Sequence, residues 1–187
     1  MKKVLAIIVS IAVLLLSGCN NSSISDSLSI FDSSPAPIEV KNGFIDITVD
    51  KLQSDFNSML SNEYNKANLQ SFPSEGEHSY HFCNLGDGVD LTILATPDST
   101  MTYAVMLTLD MTAKNYDAKK FGYYYSKLLY TVAPDITDDE ILEISEELDI
   151  AHPMPGDLDT TARNNIIYAL KVEDSKLSLS IIANKTA

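Results

Sequence analysis

Two interleaved sets of side chains run through residues 102–111: Tyr103, Val105, Leu107 and Leu109 on one, Thr102, Ala104, Met106 and Thr108 on the other. A period of two is what a half-buried antiparallel strand requires, and such a strand demands a sheet with one face against a core. Similar segments flank it. Residues 78–85 are expected as one strand and Val89–Ala95 as the next, with Val89, Leu91 and Ile93 on one face. Gly86-Asp87-Gly88 reads as a tight turn between them, because glycine tolerates positive φ. Pro97-Asp98-Ser99 turns the chain again. Further on, Asn164, Ile166, Tyr168, Leu170 and Val172 alternate. Asp174-Ser175 can close a hairpin onto Leu177, Leu179 and Ile181.

Three segments carry the helical period instead. Thr48 is a candidate N-cap, with Ile47 placed to staple onto Leu52. Val49, Leu52, Phe56, Met59 and Leu60 then predict a helix over 49–63. Residues 64–77 show no period and hold Pro73 and Gly76, so a loop is expected. Residues 117–133 put Phe121, Tyr124, Tyr125, Leu128, Leu129 and Val132 on one stripe, ended by Pro134. Thr137 to Glu140 form a capping-box pattern opening a helix to Leu148, with Ile141, Ile144 and Leu148 inward. A loop with Pro153, Pro155 and Gly156 follows.

The expected order is therefore α-β-β-β-α-α-β-β. It implies an α+β two-layer sandwich, helices packed on one face of an antiparallel sheet and the other face largely polar. That order is similar to the α-β-β-β-α-β-β-α order of type III secretion chaperones, with a second middle helix added and the last helix missing. The likeness is in element order alone and implies no function.

The amino terminus has a different character. Lys2 and Lys3 precede an apolar run over residues 4–16, interrupted only by Ser10. A membrane-crossing helix needs about 20 residues, so the run reads as a signal-peptide core. It ends in Leu16-Ser17-Gly18-Cys19, which resembles the lipobox of bacterial lipoproteins. The resemblance covers residues 1–19 and implies diacylglyceration of Cys19, with cleavage before it. Single acyl chains bind membranes only marginally, whereas two or more anchor stably. The implied location is a cell membrane or outer membrane, lipid-anchored, with the domain facing out of the cytoplasm. Asn20, rather than Asp, favours the outer membrane in a two-membrane cell.

Residues 1–18 are thus read as signal peptide, 19–43 as lipidated Cys and flexible tether, and 44–187 as one domain. The stretch 20–37 is rich in Ser, Asn, Asp and Pro and cannot bury enough apolar surface to offset its ordering entropy. Its r.m.s. reach is roughly 25 Å. Ile24, Leu28, Ile30 and Phe31 are the exceptions, placed to lie on the membrane, on the domain, or in solvent.

The formal net charge of −13 becomes −15 once Lys2 and Lys3 leave with the signal peptide. That argues against nucleic acid and anionic headgroups as partners of the domain. Lipidation of Cys19 leaves Cys83 alone, so no intramolecular disulfide is expected.

Chemical motifs are sparse. On a strand, His81 and Cys83 share a face and His78 points away. Two ligands do not make a zinc site, and His152 is distant in sequence. Asp157, Asp159 and Thr161 imitate the start of a calcium loop, but Ala162 stands where glycine belongs and Tyr168 where glutamate belongs. There is no G-x-S-x-G, S-x-x-K or phosphate-binding glycine loop. No metal, cofactor or catalytic residue is expected.

Two features suggest a protein interface. Residues 138–149 carry seven carboxylates without Lys or Arg, Glu143 and Glu147 among them. Tyr116, Tyr123 and Tyr130 recur every seven residues. The acidic run is a docking face for a basic partner or a solvated surface. The tyrosines are interface anchors or flank the core. Arg163, the single arginine, is expected in a salt bridge. The favoured function is a non-catalytic binding or adaptor domain for a protein partner. A small-ligand binder or enzyme with a site assembled from distant residues, and a structural envelope spacer, are the alternatives. A concave pocket lined by His152, Arg163 or several carboxylates would favour the ligand binder, and a flat polar sheet face with an exposed tyrosine patch the adaptor.

Overall fold

The computed structural model describes residues 40–41, 43–72, 78–156 and 158–184. The segments expected as signal peptide and tether, up to residue 39 and including Cys19, lie outside them, as do residues 73–77 and Asp157. The elements are β1 (Val40–Lys41), β2 (Phe44–Ile45), α1 (Val49–Met59), β3 (Gln70–Phe72), β4 (Ser79–Gly86), β5 (Val89–Ala95), β6 (Thr102–Asp110), α2 (Ala118–Val132), α3 (Asp138–Glu147), β7 (Leu158–Arg163), β8 (Ile166–Glu173) and β9 (Lys176–Ala183). All strand pairs are antiparallel. The main path runs β3-β4-β5-β6-β9-β8-β7, with β2 pairing the start of β6 and β1 pairing β2. The three helices among the described residues cover one face, which makes the fold α+β in two layers.

The core forms because the period-two sets and the helical stripes meet. Leu91, Ile93, Leu107, Leu109, Leu179 and Ile181 from the sheet are essentially inaccessible, as are Leu52, Phe56, Phe121, Leu128, Leu129 and Ile144 from the helices. Each helix is capped as its sequence requires. Thr48 Oγ1 accepts from Lys51 N at 3.1 Å, Asp117 accepts from Lys119 N and Lys120 N, and Thr137 with Glu140 completes a capping box.

Several expectations are corrected. α1 stops at Met59 rather than residue 63, because Leu60 turns extended and a distant lysine satisfies the terminal carbonyls: Lys66 Nζ donates to Asn57 O and Leu60 O. The expected loop 64–77 contains β3, and the expected loop after Gly156 leads into β7. Both are sheet edges with no buried row, so no period marks them. Val40–Lys41, expected in the tether, is already paired in the sheet.

Tyr103 also departs from its expected face. Leu94 pairs with Ala104 but Ala95 with Thr102, which leaves Tyr103 as the extra residue of a bulge. The bulge reverses the parity of the strand start. Thr102 turns into the core, fully buried, and its hydroxyl donates to Ile47 O at 2.9 Å. Tyr103 turns out and sits against the rings of Phe44 and His78.

The Gly86-Asp87-Gly88 turn is built as expected. Gly88 has φ +79°, and a Cβ there would lie 2.8 Å from Asp110 O.

Candidate interaction surface and neighbouring sites

On the sheet face away from the helices, expected to be largely polar, one row is apolar throughout. Strand register decides its character. Phe72 pairs with Tyr80, Tyr80 with Leu94, Leu94 with Ala104, Ala104 with Ile182, Ile182 with Ile167, and Ile167 with Ala162. One apolar row thus crosses seven strands without a break. The neighbouring row is mixed: Gln70, Phe82, Thr92, Met106, Ser180, Ala169 and Thr160. The next is mainly polar: Asn84, Asp90, Thr108, Ser178, Lys171 and Leu158. Phe72 and Tyr80 are 49% and 46% exposed, large values for rings at adjacent positions. Such a patch, with a mixed row beside it and a mainly polar row beyond, is the usual mark of a contact surface.

The tyrosines proposed as anchors sit elsewhere. Tyr116, Tyr123 and Tyr130 are half-buried and packed against the core. Tyr123 stacks on Tyr64 with ring centroids 3.8 Å apart. Its hydroxyl accepts from Ser61 N and donates to Met59 O, which fastens α2 to the end of α1. The Tyr130 hydroxyl donates to the Asp138 carboxylate and joins α2 to α3. Lys127 Nζ lies over both rings, at 5.4 and 5.6 Å. Glu147 accepts from Arg163 at 2.5 Å and from the Thr161 hydroxyl, tying α3 to the edge strand β7. These bonds, the one from Arg163 foremost, hold the Glu147 carboxyl below the usual carboxylate range. Glu143 is exposed nearby and also faces the field of Arg163. Arg163 makes the salt bridge expected of it.

A cleft of about 220 Å³ opens between the α2–α3 connection and the β7–β8 turn. Ala133, Pro134, Ile136, Ile144 and Ile166 form its apolar wall. Asp135, Glu140, Arg163 and Asn164 supply its polar groups, and Tyr168 completes the lining. Burial pushes the Tyr168 hydroxyl up to about 12. Behind it the Tyr125 hydroxyl is buried with no hydrogen-bond partner among the described residues. The cleft holds the arginine and carboxylates named for a ligand site but not His152, and it is smaller than the roughly 300–1,000 Å³ of most ligand pockets.

His81, Ser71, Ser79 and Ser99 form a polar cluster that no motif announces. His81 is 4% exposed. Its Nδ1 lies 2.9 Å from Ser71 Oγ; its Nε2 lies 3.0 Å from Ser79 Oγ and 3.1 Å from Ser99 Oγ. Ser79 donates its own proton to Thr96 O at 2.7 Å, so toward His81 it accepts. Ser99 and Ser71 can each donate or accept, so either neutral tautomer of the ring is satisfied, with Ser71 bonded to Nδ1 in both. The bond pins the edge strand β3 to the inner face of β4. Because serine is the partner on both sides, the cluster suits a neutral ring.

Burial accordingly lowers the His81 pKa from its ordinary 6.5, against a smaller opposing pull from Asp50. The unfolded chain therefore binds the proton more readily, and the stability held at neutral pH is lost as pH falls from 6.5 toward the folded value. His81→Asn should flatten this part of a plot of unfolding free energy against pH. Equal slopes in the two proteins would refute the assignment.

Cys83 is buried on the same strand, and burial pushes its thiol up, away from the reactive thiolate. Among the described residues, no group of three or more His, Cys, Asp and Glu side chains is arranged to hold a metal ion, and no helix is long and apolar enough to cross a membrane. In comparison with known proteins, the chain matches no family model, no curated protein and no solved structure.

Proposed function

We propose that this chain is a lipid-anchored, extracytoplasmic bacterial lipoprotein whose domain is a non-catalytic binding or adaptor module, and that it meets a protein partner through the open sheet face. The apolar row from Phe72 to Ala162 carries this reading. The lipobox-like Leu16-Ser17-Gly18-Cys19 supports the anchor, and the net negative charge disfavours nucleic acid.

The test places a photo-crosslinking amino acid at position 80, on the row, or at 139, on the helix layer, in intact cells. A discrete crosslinked species from position 80 and not from 139 is the expected result. Equal products from both positions, or none from position 80, would overturn the reading.

The cleft beside Arg163 favours a second reading, a small-ligand binder. A thermal-shift screen on the soluble form addresses it. A ligand that raises the midpoint of the wild type but not of Arg163→Gln would support it, and one that raises both equally would count against it.

A further inference from the structure

We infer that the outer edge of β7 is a second docking site, which takes an extended, lysine- or arginine-bearing segment of a protein partner as an added strand and seats one of its apolar side chains in the cleft beside Arg163. This shares with the proposed function only the class of partner, and it uses a different part of the sheet. β7 ends the sheet, and among the described residues no strand pairs its far side. Its register with β8 runs unbroken from Leu158 with Lys171 to Arg163 with Ile166. The connection is Asn164 and Asn165, at φ +48° and +62°, the geometry of a tight type I′ hairpin. In such a hairpin the flanking pair, Arg163 and Ile166, exchanges both backbone bonds, and alternation gives the same to Thr161 and Asp159. The N–H and C=O groups of Leu158, Thr160 and Ala162 therefore point away from β8, a ladder open to another strand. Arg163 Nη1 meets one of them, the Ala162 carbonyl, at 3.0 Å, and leaves its second lone pair available. Natural edges are blunted by proline, lysine, bulges or brevity. β7 is six residues long, holds no Pro or Lys and pairs without a bulge, whereas β3 at the opposite edge has three residues.

Charge names the kind of strand. Thr161 and Arg163 reach Glu147, so Asp159, Thr161 and Arg163 face α3. Glu140, Glu143 and Glu147 of α3 all lie in the field of Arg163, one cation against three carboxylates, and Asp159 adds another on the same face. Helix-facing side chains of an added strand enter this negative field, so lysine or arginine suits them. A second copy of β7 does not suit it: edge-to-edge pairing would bring two acidic helices side by side, each without Lys or Arg over residues 138–149. Selectivity has a seat as well. Strand addition draws affinity from main-chain bonds and selectivity from pockets for alternate side chains. Arg163 and Asn164, where β7 ends, line the cleft of about 220 Å³ whose walls include Ile144 and Ile166. A helix-facing side chain opposite Arg163 stands at its margin, and the cleft, small for a whole ligand, has room for one apolar group.

The probe is the capped hexapeptide leucine-valine-lysine-threonine-lysine-threonine, titrated into isotope-labelled residues 19–187 carrying Cys19→Ser. In antiparallel pairing its leucine stands opposite Arg163, its lysines opposite Thr161 and Asp159, and the other three residues opposite Ala162, Thr160 and Leu158. The amide NMR signals of Leu158, Thr160 and Ala162 should shift and gain protection from hydrogen exchange, and the methyl signals of Ile144 and Ile166 should move, while the amides of β3 stay in place. N-methylation of the valine and the central threonine, whose N–H groups face β7, should weaken binding about tenfold or more, and N-methylation of the lysines, whose N–H groups face away, about twofold at most. Serine in place of the leucine should weaken binding several-fold, and glutamate in place of the lysines should abolish the shifts. No variant of the edge is needed, so misfolding cannot imitate a negative result.

Equal losses from the two N-methylated peptides would overturn the proposal, since they mark attraction to the acidic helix without strand addition. Unmoved edge amides at millimolar peptide would overturn it too, as would edge amides protected before any peptide is added, which would give the edge to the chain itself or to a second copy. The sheet-face reading is judged separately, because position 80 lies toward the opposite edge. Its crosslink can persist while the peptide fails to bind, or vanish while the peptide binds β7.

Discussion

Phe56→Ala should lower the unfolding free energy by about 3–5 kcal/mol, the range for removing a fully buried aromatic ring and leaving a cavity. Phe56 is inaccessible to solvent and faces Tyr124 with ring centroids 6.2 Å apart, so it is the main bolt between α1 and α2. The end of α1 depends on the same join, through Tyr123 to Ser61 N and Met59 O. Domains of this size are stable by only about 5–15 kcal/mol. The variant should therefore unfold at a much lower urea concentration, read by far-ultraviolet circular dichroism. Met59→Ala makes the contrast, because Met59 is 38% exposed and its removal leaves little cavity. Similar midpoints for the two variants would show that α1 is not held through Phe56.

The other large effect concerns the proposed anchor. Cys19→Ala should abolish incorporation of a labelled fatty acid, whereas Cys83→Ala should leave it unchanged. The expectation rests on the lipobox-like residues before Cys19 and on the burial of Cys83, which keeps that thiol from an acylating enzyme. Metabolic labelling followed by detergent-phase partitioning reads both. Two acyl chains hold a protein on a bilayer where one does so only marginally, so the wild type should enter the detergent phase completely. Label retained by Cys19→Ala would remove the lipoprotein reading and, with it, the outward location.

The elements that the sequence announces are those with one face in the core. β5, β6, β8 and β9 each bury alternate residues, and the helical stripes of α2 and α3 are wide and capped. β3 and β7 stay hidden for the complementary reason. Gln70, Ser71 and Phe72 are all exposed, and Leu158 to Arg163 never reaches full burial. The bulge at Tyr103 is equally invisible, since it arises from a register shift against β5 and not from the alternation itself.

The candidate surface follows the same logic. Leu94, Ala104, Ile167 and Ile182 each occupy an ordinary outward position in their own strand, and only the pairing aligns them with Phe72 and Tyr80. The seven-residue spacing of Tyr116, Tyr123 and Tyr130 is plain in the chain, but a spacing does not say which neighbour a ring meets. Tyr64 and Ser61 come from a distant loop, as does Ser99 for His81.

The position of β9 has a bearing on timing. Met106 pairs with Ser180, and the Thr108 and Ser178 hydroxyls meet at 3.1 Å across 70 residues of chain. A strand from late in the sequence thus fills the middle of the sheet and joins two meanders that are each local. Contacts so far apart form late, because the intervening loop must close before they reward it. Until residues 176–183 have been synthesised, β6 has an open edge and the helices lack half of their floor. A nascent chain with this topology cannot complete its sheet before β9 emerges. For a protein exported as proposed, that delay keeps it in the unfolded form a translocation channel can accept.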